Sequence, residues 1–183
     1  MLLVFKGTGK GKTTAAFGTV FRALGRGWPV LVAQFLKSGD SGEVKFLRSL
    51  LDKLPRLACR VKVVVMGTKE FVTPGDVASD AALINTAYAY GFLKFLWPQL
   101  RESFKPKLTL LDELGIAVHM GLVDEWSVLE CLEPYRGNVE EHVIVTGRRV
   151  PRTIIDAADL VSDVREVKHY FRKGFTSLEG LDL

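Results

Sequence analysis

Residues 7 to 14 combine the residue types that proteins use to hold phosphate groups. The apolar run Leu2–Phe5 leads into them, and a helical pattern begins at Thr13. Glycines let backbone N–H groups approach phosphate oxygens closely, and the first turn of a helix adds free donors and partial positive charge. Lys12 would reach the outer phosphates, and the Thr13 hydroxyl would ligate Mg²⁺. The predicted phosphate loop consists of Gly7, Thr8, Gly9, Lys10, Gly11, Lys12, Thr13 and Thr14.

The spacing of this loop departs from the usual pattern at one position. The pattern G-x-x-x-x-G-K-[ST] places a glycine at position 6, where this chain has Lys6, and the glycine follows at Gly7. The dinucleotide pattern G-x-G-x-x-G also fails, because Lys12 stands where its third glycine would fall. The alternative is a turn that binds no ligand, which leaves the coincidence of strand, glycines, lysine and helix unexplained.

A second motif is an apolar run that ends in two acids. Leu108–Leu111 reads as a buried strand, and Asp112 and Glu113 follow it. A carboxylate at this position would hold Mg²⁺ beside the phosphate loop, directly or through water. Glu113 would orient water, join the metal's shell or contact the substrate. Taken alone, the two acids favour a solvated strand end with no ligand. Together with the phosphate loop, they favour a carboxylate that binds the metal.

A third apolar run, Val143–Thr146, is followed by Gly147 and Arg148. In open α/β sheets, ligands bind at the carboxyl ends of the strands. Arg148 is therefore a candidate phosphate clamp, because a guanidinium group matches phosphate geometry in a bidentate way. The alternative is a surface arginine near a turn.

Basic and aromatic side chains alternate between residues 165 and 175. This composition would suit single-stranded RNA. The interpretation we favour is a half-buried strand followed by a solvated loop. The histidines lie far apart, at His119, His142 and His169, so we expect no zinc site.

Short apolar runs alternate with helical patterns, which predicts a mostly parallel sheet covered by helices on both faces, a three-layer α/β/α fold. The predicted strands are Leu2–Phe5, Val30–Phe35, Val61–Met66, Leu108–Leu111, Val143–Thr146 and, more weakly, Leu160–Val164. The predicted helices are Thr13–Leu24, Glu43–Leu54, Ser79–Phe104, Val123–Leu132 and Arg152–Ala158, with Pro98 bending or ending the third.

Composition narrows the class of protein. The chain has 183 residues, of which 48% are hydrophobic, and a net charge of +4. We expect one domain over residues 1–183, because this length and apolar content suit a single core and exclude disorder. Cys59 and Cys131 are isolated, which excludes C-x-x-C zinc and redox motifs. No signal peptide or membrane span is recognisable, so we expect a cytoplasmic protein with no membrane partner.

Several motifs together resemble one family. Their order and spacing are similar to those of the ATP:corrinoid adenosyltransferases of the phosphate-loop type, over nearly the whole chain. The resemblance rests on Gly7–Gly18, Arg22-Ala23-x-Gly25, Gln34-Phe35-x-Lys37, Leu111–Leu114, Thr146-Gly147-Arg148, Ala158–Val161, Val167-Lys168-His169-x-Phe171, Gly174 and Gly180.

The resemblance implies a RecA-like phosphate-loop fold and a transferase reaction. The 5′-deoxyadenosyl group of ATP, bound with Mg²⁺, would pass to the cobalt of a reduced corrinoid, and triphosphate would leave. Lys12 and Thr13 would bind phosphate and Mg²⁺, and Arg22, Glu113 and Arg148 fall on positions associated with nucleotide contact. We expect Lys12, Thr13, Glu113 and Arg148 to carry catalysis. The resemblance also implies a homodimer and an electron-donor protein as partners. We expect no nucleic-acid partner.

The corrinoid side of the reaction points to one aromatic residue. In this family, aromatic or bulky apolar residues exclude the lower axial ligand of the corrinoid, which eases reduction of Co(II) to Co(I). Many members carry a G-F-T-W-like stretch after the third strand, where this chain reads Gly67 to Pro74 with Phe71 as the only aromatic residue. Phe71 is the candidate corrinoid-facing residue, and ordinary core packing is the alternative.

Two other functions compete with this interpretation. A phosphate-loop ATPase or small-molecule kinase would use the same loop and Asp112 but would release ADP. An RNA-binding module would use the basic tail, with RNA affinity that depends strongly on salt, and would leave the loop unexplained. A GTPase is disfavoured, because the chain contains no N-K-x-D motif.

Overall fold

The computed structural model describes residues 1–70, 72–176 and 178–182. The strands are β1 (Leu2–Lys6), β2 (Val30–Phe35), β3 (Val61–Met66), β4 (Leu108–Asp112), β5 (His142–Gly147) and β6 (Leu160–Asp163). The helices are α1 (Lys12–Gly25), α2 (Gly42–Lys53), α3 (Pro55–Ala58), α4 (Asp80–Gly91), α5 (Trp97–Ser103), α6 (Leu114–His119), α7 (Glu125–Leu132) and α8 (Arg152–Ala157). A π-helical segment covers Phe92–Leu96, and short 3₁₀ turns cover Glu133–Tyr135 and Tyr170–Lys173.

The strands form one parallel sheet in the order β3-β2-β4-β5-β1-β6. Strand β5 therefore lies between β1, which leads into the phosphate loop, and β4, which ends in Asp112. Because every strand runs in the same direction, all the carboxyl ends share one edge of the sheet. This arrangement confirms the predicted parallel α/β sheet.

Helices cover both faces of the sheet because side chains alternate along each strand. Val30 and Val32 pack with α1 and α2 in one core cluster. Leu31 and Ala33 pack in a second cluster with α4, the π-helical segment and α5 to α8. The three layers predicted from the apolar runs are thus confirmed.

The long helix predicted over Ser79–Phe104 is not regular throughout. It begins at Asp80, passes through the π-helical segment, and continues past Pro98 to Ser103. Pro98 has no N–H to donate, and just before it the Trp97 N–H bonds to the carbonyl of Phe92 five residues back. The proline therefore neither ends the helix nor stops it forming. Helices α3 and α6 have no counterpart in the sequence prediction.

The predicted half-buried strand in the tail is wrong. Residues 164–169 form no strand, and a 3₁₀ turn follows over Tyr170–Lys173. Two of the basic side chains have local acidic partners: Arg165 bonds to Asp163 at 3.2 Å, and Arg172 to Glu166 at 2.7 Å. Within the described residues, no helix is long and apolar enough to cross a membrane.

Candidate functional site

The phosphate loop joins β1 to α1 and packs against the chain that follows β6. The Gly9 N–H donates to the Val164 carbonyl at 2.8 Å. A Cβ at Gly7 would lie 2.3 Å from the same carbonyl oxygen, and Gly7 has a φ of 120°. A side chain would thus be both crowded and strained at Gly7, which explains why the glycine must stand there.

Lys12 begins α1, directly after Gly11, whose φ is 112°. Its ammonium group donates to the Gly9 carbonyl at 2.8 Å, so the side chain folds back over the loop. Burial lowers the pKa of Lys12, and the positive charge of Arg148 lowers it further. The structure therefore brings Arg148 into the electrostatic environment of Lys12, although its own side chain is exposed.

Asp112 is fully buried at the end of β4. Its Oδ1 accepts hydrogen bonds from the hydroxyls of Thr13 at 3.0 Å and Thr146 at 2.7 Å. Its Oδ2 accepts from the Gln34 amide at 3.0 Å and from the Lys37 ammonium at 2.7 Å. The loop and the second motif, 99 residues apart, thus meet at one carboxylate.

Strand register accounts for these contacts. Gln34 lies opposite Asp112 in the β2–β4 pair, and Val145 lies opposite Leu111 in the β4–β5 pair. The next residue on β5, Thr146, therefore reaches the level of Asp112.

Glu113 follows Asp112 in a left-handed backbone conformation, with a φ of 63°. Its N–H donates to the Thr146 hydroxyl oxygen at 2.9 Å. Burial raises the pKa of Glu113, and the neighbouring charge of Asp112 raises it further. Positive φ in a residue other than glycine is strained, and such residues gather at functional sites.

Lys37 enters the site from the loop after β2, and the sequence analysis gave it no role. Its ammonium nitrogen lies 2.7 Å from Asp112 Oδ2, 3.4 Å from Thr13 Oγ1 and 4.0 Å from Glu113 Oε1. Burial opposes its charge, but the Asp112 carboxylate outweighs burial, so the pKa of Lys37 is raised overall. Lys37 is thus held in its charged form.

Gln34, Lys37 and Thr146 lie in motifs that carry the family resemblance, but sequence reasoning assigned them no role in the site. Gln34 and Lys37 were recognisable from the sequence. Gln34 is a polar residue inside the apolar run of β2, and Lys37 follows that run at the carboxyl end of the strand, where ligands bind in such sheets. Thr146 was less recognisable, since threonine is common in strands.

A cavity of about 250 Å³ opens beside Lys37 and Glu113 at the same edge of the sheet. Its other lining residues are Leu36, Glu70, Val72, Asn85, Ile116 and Met120. Phe71, the candidate corrinoid-facing residue, lies outside the described residues. Its neighbours Glu70 and Val72 both line the cavity.

The structure does not bring Arg22 to the phosphate loop. Arg22 lies in the last turn of α1, ten residues after Lys12, which corresponds to about 15 Å along the helix axis. It lines a separate cavity of about 570 Å³ with Met1, Trp28 and His142, at the amino ends of the strands. Among the remaining loop residues, Thr8 and Thr14 are exposed, and Lys10 pairs with Asp182 at 2.7 Å.

The donor set suits a magnesium ion that accompanies a nucleotide. Across the part of the chain that the structure describes, no group of three or more His, Cys, Asp or Glu side chains is placed to hold a metal. Magnesium in nucleotide sites takes one or two protein oxygens and otherwise uses phosphates and water. The Thr13 hydroxyl and the Asp112 carboxylate, 3.0 Å apart, provide such a pair.

Comparison with known proteins identifies a family. The model of the family described as ATP:corrinoid adenosyltransferase BtuR/CobO/CobP matches residues 1–183. A corrinoid adenosyltransferase of Pseudomonas aeruginosa is 36% identical over the whole chain and 83% of its own length. Corrinoid adenosyltransferase CobA of Salmonella typhimurium is 36% identical over the whole chain and 85% of its own length. A corrinoid adenosyltransferase of a Sinorhizobium species is 31% identical over the whole chain and 79% of its own length.

Proposed function

The chain belongs to the ATP:corrinoid adenosyltransferase family, and from this premise we propose that it transfers the 5′-deoxyadenosyl group of ATP to a reduced corrinoid. The Co(I) centre of the substrate attacks C5′ of ATP and supplies both electrons of the new Co–C bond. The C5′–O bond breaks, triphosphate leaves with that electron pair, and the cobalt becomes formally Co(III). A corrinoid of this kind belongs to cobalamin biosynthesis or salvage.

One observation carries the proposal from the structural side. The hydrogen bond between Thr13 and Asp112 joins the phosphate loop to the acidic strand end. A triphosphate in the loop would therefore lie beside the carboxylate, as a nucleotide with its metal requires.

The chemistry needs positioning rather than a base. Co(I) is already a strong nucleophile and carries no proton to be removed, so the protein acts by aligning C5′ and stabilising the departing negative charge. Lys12 and Arg148 are the cations we assign to the triphosphate. The free N–H groups at the start of α1 would add donors.

Magnesium would be held by Thr13 and Asp112. When bound, it neutralises charge on the triphosphate and so makes triphosphate a better leaving group. Glu113, whose N–H is held by Thr146, would orient water around the metal or contact the nucleotide.

The corrinoid would enter at the cavity beside Lys37 and Glu113, which lies on the same edge of the sheet as the loop. Phe71 stays our candidate for the residue that excludes the lower axial ligand. Reduction of Co(II) to Co(I) requires an electron donor, and we propose a reducing protein for that step. Such a reaction suits the cytoplasm, and Cys59 and Cys131 are both free thiols.

We also propose a homodimer. Three large apolar side chains are exposed at spacings of four and seven residues along α4 and the π-helical segment: Ile84, Tyr88 and Phe95, which are 41%, 49% and 76% exposed. An apolar stripe of this kind on one helix face suits burial against a second copy.

The function is tested by an anaerobic assay with ATP, Mg²⁺ and chemically reduced cob(I)alamin. We expect a light-sensitive alkylcobalamin spectrum together with stoichiometric triphosphate. Lys12→Ala should lose triphosphate release and keep its thermal unfolding transition, whereas Lys45→Ala, an exposed lysine on α2, should match wild type.

The phosphate product separates this function from its rival. Accumulation of ADP with an unchanged corrinoid spectrum would mean that the loop serves a kinase or ATPase. Full turnover by Lys12→Ala would mean that the loop does not hold the triphosphate.

A further inference from the structure

Lys37 places a positive charge among the oxygens that a divalent cation would use. Its ammonium nitrogen lies 2.7 Å from Asp112 Oδ2 and 3.4 Å from Thr13 Oγ1. Glu113 Oε1 is 4.0 Å away. A metal held by Thr13 and Asp112 would therefore meet the ammonium group in the same space.

The backbone around Lys37 is held in place. Leu36, the preceding residue, has a φ of 58°, a strained conformation for a leucine. The Leu36 N–H donates to the Met66 carbonyl at 2.9 Å, beyond the end of the β2–β3 pair. A Cβ at Gly67 would lie 2.1 Å from the backbone nitrogen of Lys37, so only glycine permits this close approach of the two backbones. The strained conformation of Leu36 and the close contact with Gly67 therefore fix the backbone position from which the Lys37 side chain extends.

The two partners of the ion pair differ in their freedom to move. The Asp112 side chain is 0% exposed, whereas the Lys37 side chain is 29% exposed and borders the 250 Å³ cavity. Asp112 would also keep hydrogen bonds from Thr146 and Gln34 if Lys37 left. The lysine is therefore the movable member of the pair.

We propose that the Lys37 ammonium occupies the divalent-cation position between Thr13 and Asp112, so that metal binding and the Lys37–Asp112 ion pair exclude each other. This rests on the proposed function only in its assignment of Thr13 and Asp112 to the metal. Displacement frees one positive charge beside the loop that receives a triphosphate. Lys37 is thus a positioning residue that keeps the buried carboxylate neutralised until the metal arrives.

The test measures metal binding without nucleotide or corrinoid. Free Mn²⁺ is followed by electron paramagnetic resonance as it is titrated into the protein, and binding at this site is defined as the part that Asp112→Asn removes. Lys37→Met removes the competing charge and should bind Mn²⁺ about 10-fold more tightly than wild type. Because no substrate is present, failure of adenosyl transfer in the assay above would leave this result unaffected.

The matched control is Lys6→Met. Lys6 ends β1 at the same edge of the sheet and pairs with Asp163 at 3.4 Å, so the variant loses the same charge without touching Asp112. Its Mn²⁺ affinity should stay within about 2-fold of wild type, because Lys6 pairs with Asp163 and not with Asp112, although its side chain is as exposed as that of Lys37, 28% against 29%. Equal affinities in the Lys37→Met and Lys6→Met variants would overturn the proposal.

A measurement on the wild-type protein covers the case in which Lys37→Met does not fold. The Lys37 side-chain nitrogen is observed by NMR in protein labelled with ¹⁵N-lysine and assigned by its absence in Lys37→Arg. Saturation with Mg²⁺ should shift this resonance and increase hydrogen exchange of the ammonium group. An unchanged resonance at saturating Mg²⁺ would show that the lysine and the metal do not compete.

Discussion

Asp112 is a buried charge that depends on side chains from four segments of the chain. The donors come from the start of α1, from β2, from the loop after β2 and from β5. A buried carboxylate is tolerated only when its oxygens are hydrogen-bonded or paired, so losing a donor costs more than the bond itself is worth. The candidate site and the stability of the fold are therefore linked at this residue.

Thr146 gives the first residue-scale prediction. Thr146→Val keeps the shape of the side chain but removes a donor to Asp112 and an acceptor for the Glu113 N–H. We expect unfolding free energy to fall by about 1–3 kcal/mol and the metal requirement of turnover to rise. Chemical denaturation and a Mg²⁺ titration of activity measure the two effects.

Thr109→Val is the matched control. Thr109 is equally buried on β4, and among the described residues its hydroxyl has no hydrogen-bond partner. Its replacement should leave stability unchanged or slightly raised. A loss equal to that of Thr146→Val would show that hydroxyl bonding is not the cause.

The raised pKa of Glu113 predicts that the stability of the protein depends on pH. Burial and Asp112 raise the pKa of Glu113 above its ordinary value of 4.5, so the native state keeps the proton to higher pH than the unfolded chain does. The free energy of unfolding therefore loses a contribution as pH rises from about the ordinary value through the raised native value. Glu113→Gln removes this loss.

Urea unfolding at two pH values tests that sign. The stability of Glu113→Gln relative to wild type should be more favourable at pH 7 than at pH 4, where Glu113 is mostly protonated in both states. A difference that is the same at both pH values would contradict the raised pKa.

At the scale of elements, two strands end in strained residues that direct their neighbours into the site. Leu36 follows β2 with a φ of 58°, and Glu113 follows β4 with a φ of 63°. Each such conformation costs on the order of 1 kcal/mol and persists because the surrounding contacts hold it. The strand ends are thus shaped for the site at some cost in stability.

Gly67→Ala tests this arrangement of elements. The added Cβ would lie 2.1 Å from the backbone nitrogen of Lys37 and 2.4 Å from its carbonyl oxygen, so the backbone just after β2 must move. We expect a loss of more than about 2 kcal/mol in unfolding free energy, together with weaker pairing of Lys37 with Asp112. Thermal and chemical unfolding measure the loss.

Gly18→Ala on α1 provides the opposite expectation. A Cβ there meets nothing within 4 Å, so alanine should stabilise the helix by about 0.5–1 kcal/mol. If both variants were equally mild, the close packing of Gly67 on Lys37 would be refuted.

At the scale of the whole molecule, one edge of the sheet collects the ends of β1, β2, β4 and β5, and the phosphate loop and Asp112 meet there. The opposite edge holds the larger cavity lined by Arg22. The apolar stripe on α4 and the π-helical segment consists of Ile84, Tyr88 and Phe95, and none of these residues lines either cavity. The proposed catalytic site and the proposed dimer contact therefore share no residue.

Phe95→Glu tests the assembly. Placing a charge on the most exposed member of the stripe should convert a homodimer into a monomer in light scattering at micromolar concentration. Val139→Glu, at another exposed apolar residue, should leave the mass unchanged. A wild-type mass equal to that of one chain would refute the dimer.

Local sequence predicted the strands, most of the helices and the position of the glycine-rich loop between β1 and α1. All six strands were predicted within a residue or so of their observed bounds. The central strands β2, β4 and β5 are buried almost throughout and therefore appear as continuous apolar runs, whereas β6 is exposed along its length and has the weaker pattern. The loop and Asp112 were recognisable because each lies at the end of such a run and carries residue types with few other uses. Helix bounds were harder, and the π-helical turn before Pro98 escaped detection because its signal is a hydrogen-bond register and not a composition.

The tertiary structure decided which side chains meet. Strand order depends on how helices pack over both faces, and no local pattern states that β5 lies between β1 and β4. That order brings Thr146 beneath Asp112, and the pairing of β2 with β4 brings Gln34 and Lys37 to the same carboxylate. Arg22, on the helix that follows the loop, is carried away from the loop by the length of α1. Residue type therefore indicated the chemistry, while only the folded chain determined the neighbours, since contacts between distant segments arise from packing.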